Sequence, residues 1–173
     1  MGFLHYSNLG ISINPPPSSG MQIGILHSSS PLSLSGLNFP VTISTANTYL
    51  QSPNFDKTLA FSMTVMAHLD TGASMTSIDT KLAKHLKLFP TSISKSHTAG
   101  GLITVPNFAV NLSFPTTNLM SFTNLPISSC NLPFDFKGNM NDPKNFAVLI
   151  GRDILSRWNV VWNGPTSTVF IND

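Results

Sequence analysis

The sequence contains no glutamate; its seven acidic residues are all aspartates. Charge is scarce in general, at 9% of residues against about a quarter in ordinary soluble domains. Long surface helices draw on Glu, Lys, Arg and Ala, so this shortage excludes a largely helical chain. It also leaves a surface that is either wetted by Ser, Thr and Asn or covered by association. The net charge of +2 is too small to argue for nucleic acid. The cations that exist gather at Lys81, Lys84, Lys87 and Lys95, with His85 among them. They read either as the wet face of a short helix or as a patch for an anionic partner.

Cys130 is the only cysteine, which excludes an internal disulfide and favours a reducing, cytoplasmic setting. It has no catalytic partner motif and reads as a structural or incidental thiol. The histidines lack metal-ligand spacing, so neither a metal nor another cofactor is expected. No Gly-x-Ser-x-Gly motif and no phosphate-binding loop is present. No apolar run approaches the length of a membrane span. The N-terminus shows no basic-then-apolar secretory pattern, and Tyr6 breaks the myristoylation pattern that Met1-Gly2 would open. One sequon, Asn111-Leu112-Ser113, means little without secretion.

What is present suits a single β-rich domain. The 173 residues are 41% hydrophobic, enough for a core, and 13 prolines with 11 glycines favour short strands and turns. Residues 1–20, rich in Asn, Ser, Pro and Gly and carrying Pro15 to Pro17, read as a flexible N-terminal arm before a domain over 21–173. Strands are expected at Met21 to His27, Val41 to Thr45, Thr58 to Leu69 and Met75 to Ile78, with a loop over 28–36 and turns over 47–57. Asp79 is placed to cap a helix over Thr80 to Leu86. Ser94 to Thr98 and Leu102 to Val105 flank Ala99-Gly100-Gly101 as a hairpin with a glycine-rich tip. Further strands are expected at Phe108 to Phe114, Met120 to Phe122, Ser128 to Leu132 and Ala147 to Ile150. A short helix over Asp153 to Trp158 then precedes strands at Val160 to Trp162 and Thr168 to Ile171, joined by the turn Asn163-Gly164-Pro165. No internal repeat occurs.

Two strings carry chemistry. In His68-Leu69-Asp70-Thr71-Gly72-Ala73-Ser74 a hydrophobic strand delivers an aspartate into a tight turn. Thr71 can anchor the turn through its hydroxyl, and Gly72 permits close approach of backbone or ligand. In Ala147-Val148-Leu149-Ile150-Gly151-Arg152-Asp153 a buried strand ends in glycine and a helix begins. Taken alone, Asp70 reads as a turn aspartate that caps a loop.

The two strings together, in this order, resemble the retropepsin family, the retroviral-type aspartic proteases. The likeness is strongest to cellular and bacterial members with Asp-Thr-Gly-Ala-Ser, and it covers about Thr58 to Ile171. It implies an all-β fold, a closed acid-protease barrel with one or two short helices, and a flap hairpin at Ala99 to Gly101. It implies an aspartic endopeptidase, with Asp70 catalytic and Thr71, Gly72, Gly151 and Arg152 supporting the site. Ala73, Ser74, Leu149, Ala99, Gly100 and Gly101 would then contact a polypeptide substrate. His68 lies on the same side of its strand as Asp70 and either lines a substrate pocket or packs. Only one Asp-Thr-Gly is present, so the resemblance implies a homodimer in which a second copy supplies the other Asp70. The final strand, Ser167 to Asn172, is the expected interface strand. Trp158 and Trp162 read as core or interface anchors.

Two departures from the family pattern stand out. Viral members often carry an aspartate where this chain has Ser74, so Arg152 needs another partner, a backbone carbonyl or a carboxylate. The stretch between Pro115 and Asn145 exceeds what a minimal enzyme needs and either shapes or blocks the cleft. The rival reading from another class is a non-catalytic dimerisation or peptide-binding module on the same fold. A third is a precursor that cuts itself and sheds its first residues.

Overall fold

The computed structural model describes residues 36–97, 100–115, 117–163 and 168–173 in full, and the backbone alone of 2–7, 12–13, 22–27 and 98. The expected loop over 28–35, the triple proline, Ala99 and the Gly164-Pro165 turn lie outside the described residues.

Alternation of apolar and polar residues builds the strands. In β4 (Asn38–Thr45), Phe39, Val41, Ile43 and Thr45 are buried while their neighbours face outward. The same rule turns Val65, Ala67 and Leu69 of β5 (Ser62–Leu69) inward, and Phe108, Val110 and Leu112 of β8 (Gly101–Ser113). Four further strands share their sheet: β6 (Ser77–Asp79), β7 (Pro90–Thr98), β9 (Phe122–Cys130) and β10 (Val148–Ile150). The order is β4-β5-β10-β6-β9-β8, and β4 also pairs with β8, so six strands close into a barrel. Closure leaves no open edge within the ring and seals a core that includes Leu37, Ile78, Leu82, Ile127 and Ile150. The fold is all-β with a closed barrel and only short helices, as the sequence implies.

β7 hangs outside the ring, paired to the first half of β8, and this hairpin is the expected flap. Its glycine tip is required: Gly101 has φ +109°, where a side chain would be strained. The helices are α1 (Asn47–Leu50), α2 (Thr80–His85) and α3 (Arg152–Leu155), with a 3-10 turn at Lys57–Leu59. Asp79 caps α2 as expected, its Oδ1 accepting from the backbone N–H groups of Lys81 and Leu82, and its Oδ2 from that of Leu132.

A second sheet runs β11-β12-β1-β3-β2, from β11 (Asn159–Asn163), β12 (Thr168–Asn172), β1 (Gly2–Ser7), β3 (Gln22–His27) and β2 (Ser12–Ile13). The stretch expected as a loose arm therefore contains two strands. Phe3, Leu4 and Tyr6 give β1 its strand character, which the Pro- and Ser-rich residues after it obscure in a composition reading. β12 pairs with β11 on one side and β1 on the other. The expected interface strand thus has both edges occupied within its own chain.

Other boundaries also move. The strands expected separately at 102–105 and 108–114 are one strand, β8, and those at 120–122 and 128–132 are one strand, β9. The helix expected over 153–158 ends at Leu155, with Trp158 then packing edge-on to Phe114 at 5.1 Å.

Candidate active site

β5 and β10 run parallel, with His68 beside Leu149 and Leu69 beside Ile150. The chain leaves both strands at the same level, so Asp70 and Gly151 emerge side by side. The Asp70 backbone N–H donates to the Ile150 carbonyl at 3.0 Å, continuing the ladder one step past the strand. The turn then closes on itself. The Gly72 N–H donates to Asp70 Oδ1 at 2.8 Å, and the Ala73 N–H to the Asp70 carbonyl at 3.2 Å. Asp70 is half-buried, and its other carboxylate oxygen makes no hydrogen bond among the described residues.

The second string holds this turn from behind. The Arg152 backbone N–H donates to the Ala73 carbonyl at 2.9 Å, and its guanidinium Nη1 donates to the Thr71 carbonyl at 3.1 Å. Backbone oxygens thus supply Arg152 with the partner that Ser74 does not. Gly151 is buried so tightly that a Cβ there would lie 2.4 Å from the carbonyl carbon of Met75 and 2.6 Å from its oxygen. Behind it, Thr76 is fully buried. Its N–H and hydroxyl both donate to Asp153 Oδ1, at 2.8 and 2.9 Å, and its hydroxyl oxygen accepts from the Gly151 N–H at 3.2 Å. Thr76 and Asp153 are the residues that sequence reasoning missed. Asp153 was visible only as part of Gly-Arg-Asp, and nothing in the pattern marks Thr76.

The structure therefore brings Asp70, Thr71, Gly72, Ala73, Gly151 and Arg152 into one hydrogen-bonded cluster. Thr71 and Ser74 are exposed at its rim, and the Thr71 hydroxyl anchors nothing among the described residues; the Gly72 N–H does that instead. Leu149 is half-buried on the face of β10 away from the core. Gly100 and Gly101 sit at the tip of the β7–β8 hairpin, and Ala99 lies outside the described residues.

His68 has the contacts of a packing histidine. Its Nδ1 hydrogen-bonds Asn38 Oδ1 at 2.7 Å, and its ring stacks on Phe146 at 4.8 Å. It also covers Gly36, whose φ of +63° needs glycine and where a Cβ would lie 2.5 Å from the His68 ring. Burial holds its pKa below the usual 6.5, opposed by the negative charge of Asp70. Cys130 is equally removed from chemistry: burial, with the Asp79 charge adding to it against a Ser77 hydrogen bond, pushes its thiol up to about 11.

Residues 61–154, more than half of the chain, match the family model described as Aspartyl protease, and this span contains both strings and the whole cluster. The chain belongs to the aspartyl protease family. Among solved structures it is similar to a retropepsin-like aspartic protease from Rickettsia conorii, at 12% identity over 78% of this chain and 90% of that one, with a TM-score of 0.40. No curated protein matches. In an aspartyl protease of this family, the Asp70 turn is the part of the chain that carries a free carboxylate. Among the described residues no group of His, Cys and Asp is arranged to hold a metal, and no helix is long and apolar enough to cross a membrane.

Proposed function

We propose that the chain is an aspartic endopeptidase that works as a homodimer, with the Asp70 carboxyls of two copies activating one water against a peptide carbonyl. The observation that carries this reading is the state of Asp70. One oxygen is fixed by Gly72, the other is uncommitted, and the turn holding them is clamped by Arg152 on a half-exposed surface. A carboxylate whose role is to cap a loop would spend both oxygens on the loop, as Asp79 does.

Hydrolysis of a peptide without metal or covalent intermediate suits two facing carboxyls that share a proton. Two such acids at close range do not both ionise, so one remains protonated. The ionised carboxylate takes a proton from water while the protonated one donates to the scissile carbonyl oxygen. The titration belongs to the pair. With one Asp-Thr-Gly in the sequence, the second acid is Asp70 of another copy. An extended substrate would lie across Gly72 and the hairpin tip at Gly100 and Gly101, with Ala73, Ser74 and Leu149 at its sides.

The test is cleavage of a peptide mixture between about pH 4 and 7, followed by mass spectrometry. Asp70→Asn should lower cleavage by at least about a hundredfold while leaving the circular dichroism unchanged. Equal cleavage by Asp70→Asn and the unaltered chain would refute the reading.

A further inference from the structure

Every residue of β11 is exposed, in contrast to β12 beside it, where Val169 and Ile171 are buried. Val160 is 37% exposed, Val161 59% and Trp162 48%. Val161 and the Val160–Trp162 pair point to opposite faces of the strand, so neither face is covered. β11 pairs only with β12 and ends the described order of its sheet. Edges of this kind are ordinarily guarded by charge, proline or a bulge. Asn159-Val160-Val161-Trp162-Asn163 has no charge and no proline, and its pairing with β12 runs without a shift.

From these observations we infer that β11 is the strand through which two copies of this chain pair, antiparallel about a two-fold axis at Val161. The inference rests on the dimeric protease reading, which leaves the site incomplete without a second copy. Three features favour a second copy over another occupant. Only a further strand touches both faces of an edge strand at once, because its own side chains alternate. The sequence is self-complementary in that register: Val160 falls opposite the partner copy's Trp162, Val161 opposite its own counterpart, and Asn159 opposite Asn163. Aromatic and β-branched residues are favourable cross-strand neighbours. β11 also follows α3 after four residues, and α3 begins at Arg152, which grips the Asp70 turn, so the interface and the site are joined by one short stretch of chain.

The residue on the axis gives a test that separates lost pairing from lost folding. In Val161→Lys two cations oppose each other, in Val161→Glu two anions, and in their mixture a cation meets an anion. The unaltered chain should sediment at twice its 18.7 kDa mass, each variant alone at the single mass, and the co-refolded equimolar mixture at twice the mass again. A variant that alone keeps the double mass, a mixture that stays single, or an unaltered chain that is single would overturn the inference. Assaying the mixture for peptide cleavage tests the protease reading separately. A restored dimer without cleavage supports the interface and sinks the protease; cleavage by either variant at the single mass sinks the interface.

Discussion

A carboxylate becomes useful for catalysis when its surroundings fix its position and leave part of its hydrogen-bonding capacity unspent. At Asp70 the fixing is done by backbone: the Gly72 N–H on one oxygen, and Ile150 and Arg152 on the turn that carries it. Gly151 is the residue that permits this closeness. Gly151→Ala forces a methyl group into the Met75 carbonyl, and because backbone cannot step aside like a side chain, a loss of about 2–3 kcal/mol is expected in urea unfolding. An unchanged midpoint would mean that the two loops separate more easily than their contact implies. His68 makes a prediction in pH. Its folded pKa lies below the unfolded value of 6.5, so between the two the unfolded chain binds the extra proton. The stability cost is absent above about pH 6.5, grows as pH falls toward the folded pKa and then stays constant. His68→Leu should flatten this part of the stability profile while leaving the cleavage preference as it was. An altered preference would assign His68 to a substrate pocket instead.

At the scale of elements, the site is a pair of parallel strand ends tied by one buried knot, Thr76 with Asp153 and Gly151. Thr76→Val keeps the shape but removes the hydroxyl that serves both neighbours, leaving the Gly151 N–H without its partner. A loss of about 1–3 kcal/mol is expected, together with reduced cleavage in spite of an intact Asp70. Full activity at unchanged stability would show that the knot is dispensable. Both halves of the site were legible in the sequence because each is a local pattern: an alternating or wholly apolar strand, then a small residue where the chain must turn. The knot was not, since Thr76 and Asp153 lie 77 positions apart and their meeting depends on the barrel. The long β8 and β9 were split in the sequence reading for a related reason. Pro106 and Asn107 interrupt the pattern of β8 at the point where it passes from β7 toward β9. Asn124, at φ 53°, and Pro126 do the same in β9. Strand pairing from both sides holds through such local defects, as tertiary context commonly does in β structure.

The whole molecule sets a closed barrel, which hides its edges, beside a second sheet that ends in an apolar strand with neither face covered. The low charge of the chain points the same way, toward a surface made for association. Composition supplied that expectation, but it did not supply the strand: the sequence favoured 167–172, and only the topology shows both of its edges taken. The account as a whole requires that two Asp70 residues, one from each copy, form a single active centre. Co-refolding the unaltered chain with Asp70→Asn in varied proportion tests this directly, by measuring peptide cleavage per total protein. If both acids are needed, activity follows the square of the unaltered fraction, so an equal mixture keeps about one quarter. A linear decline, with about one half remaining in the equal mixture, would mean that each chain acts alone and would contradict the account.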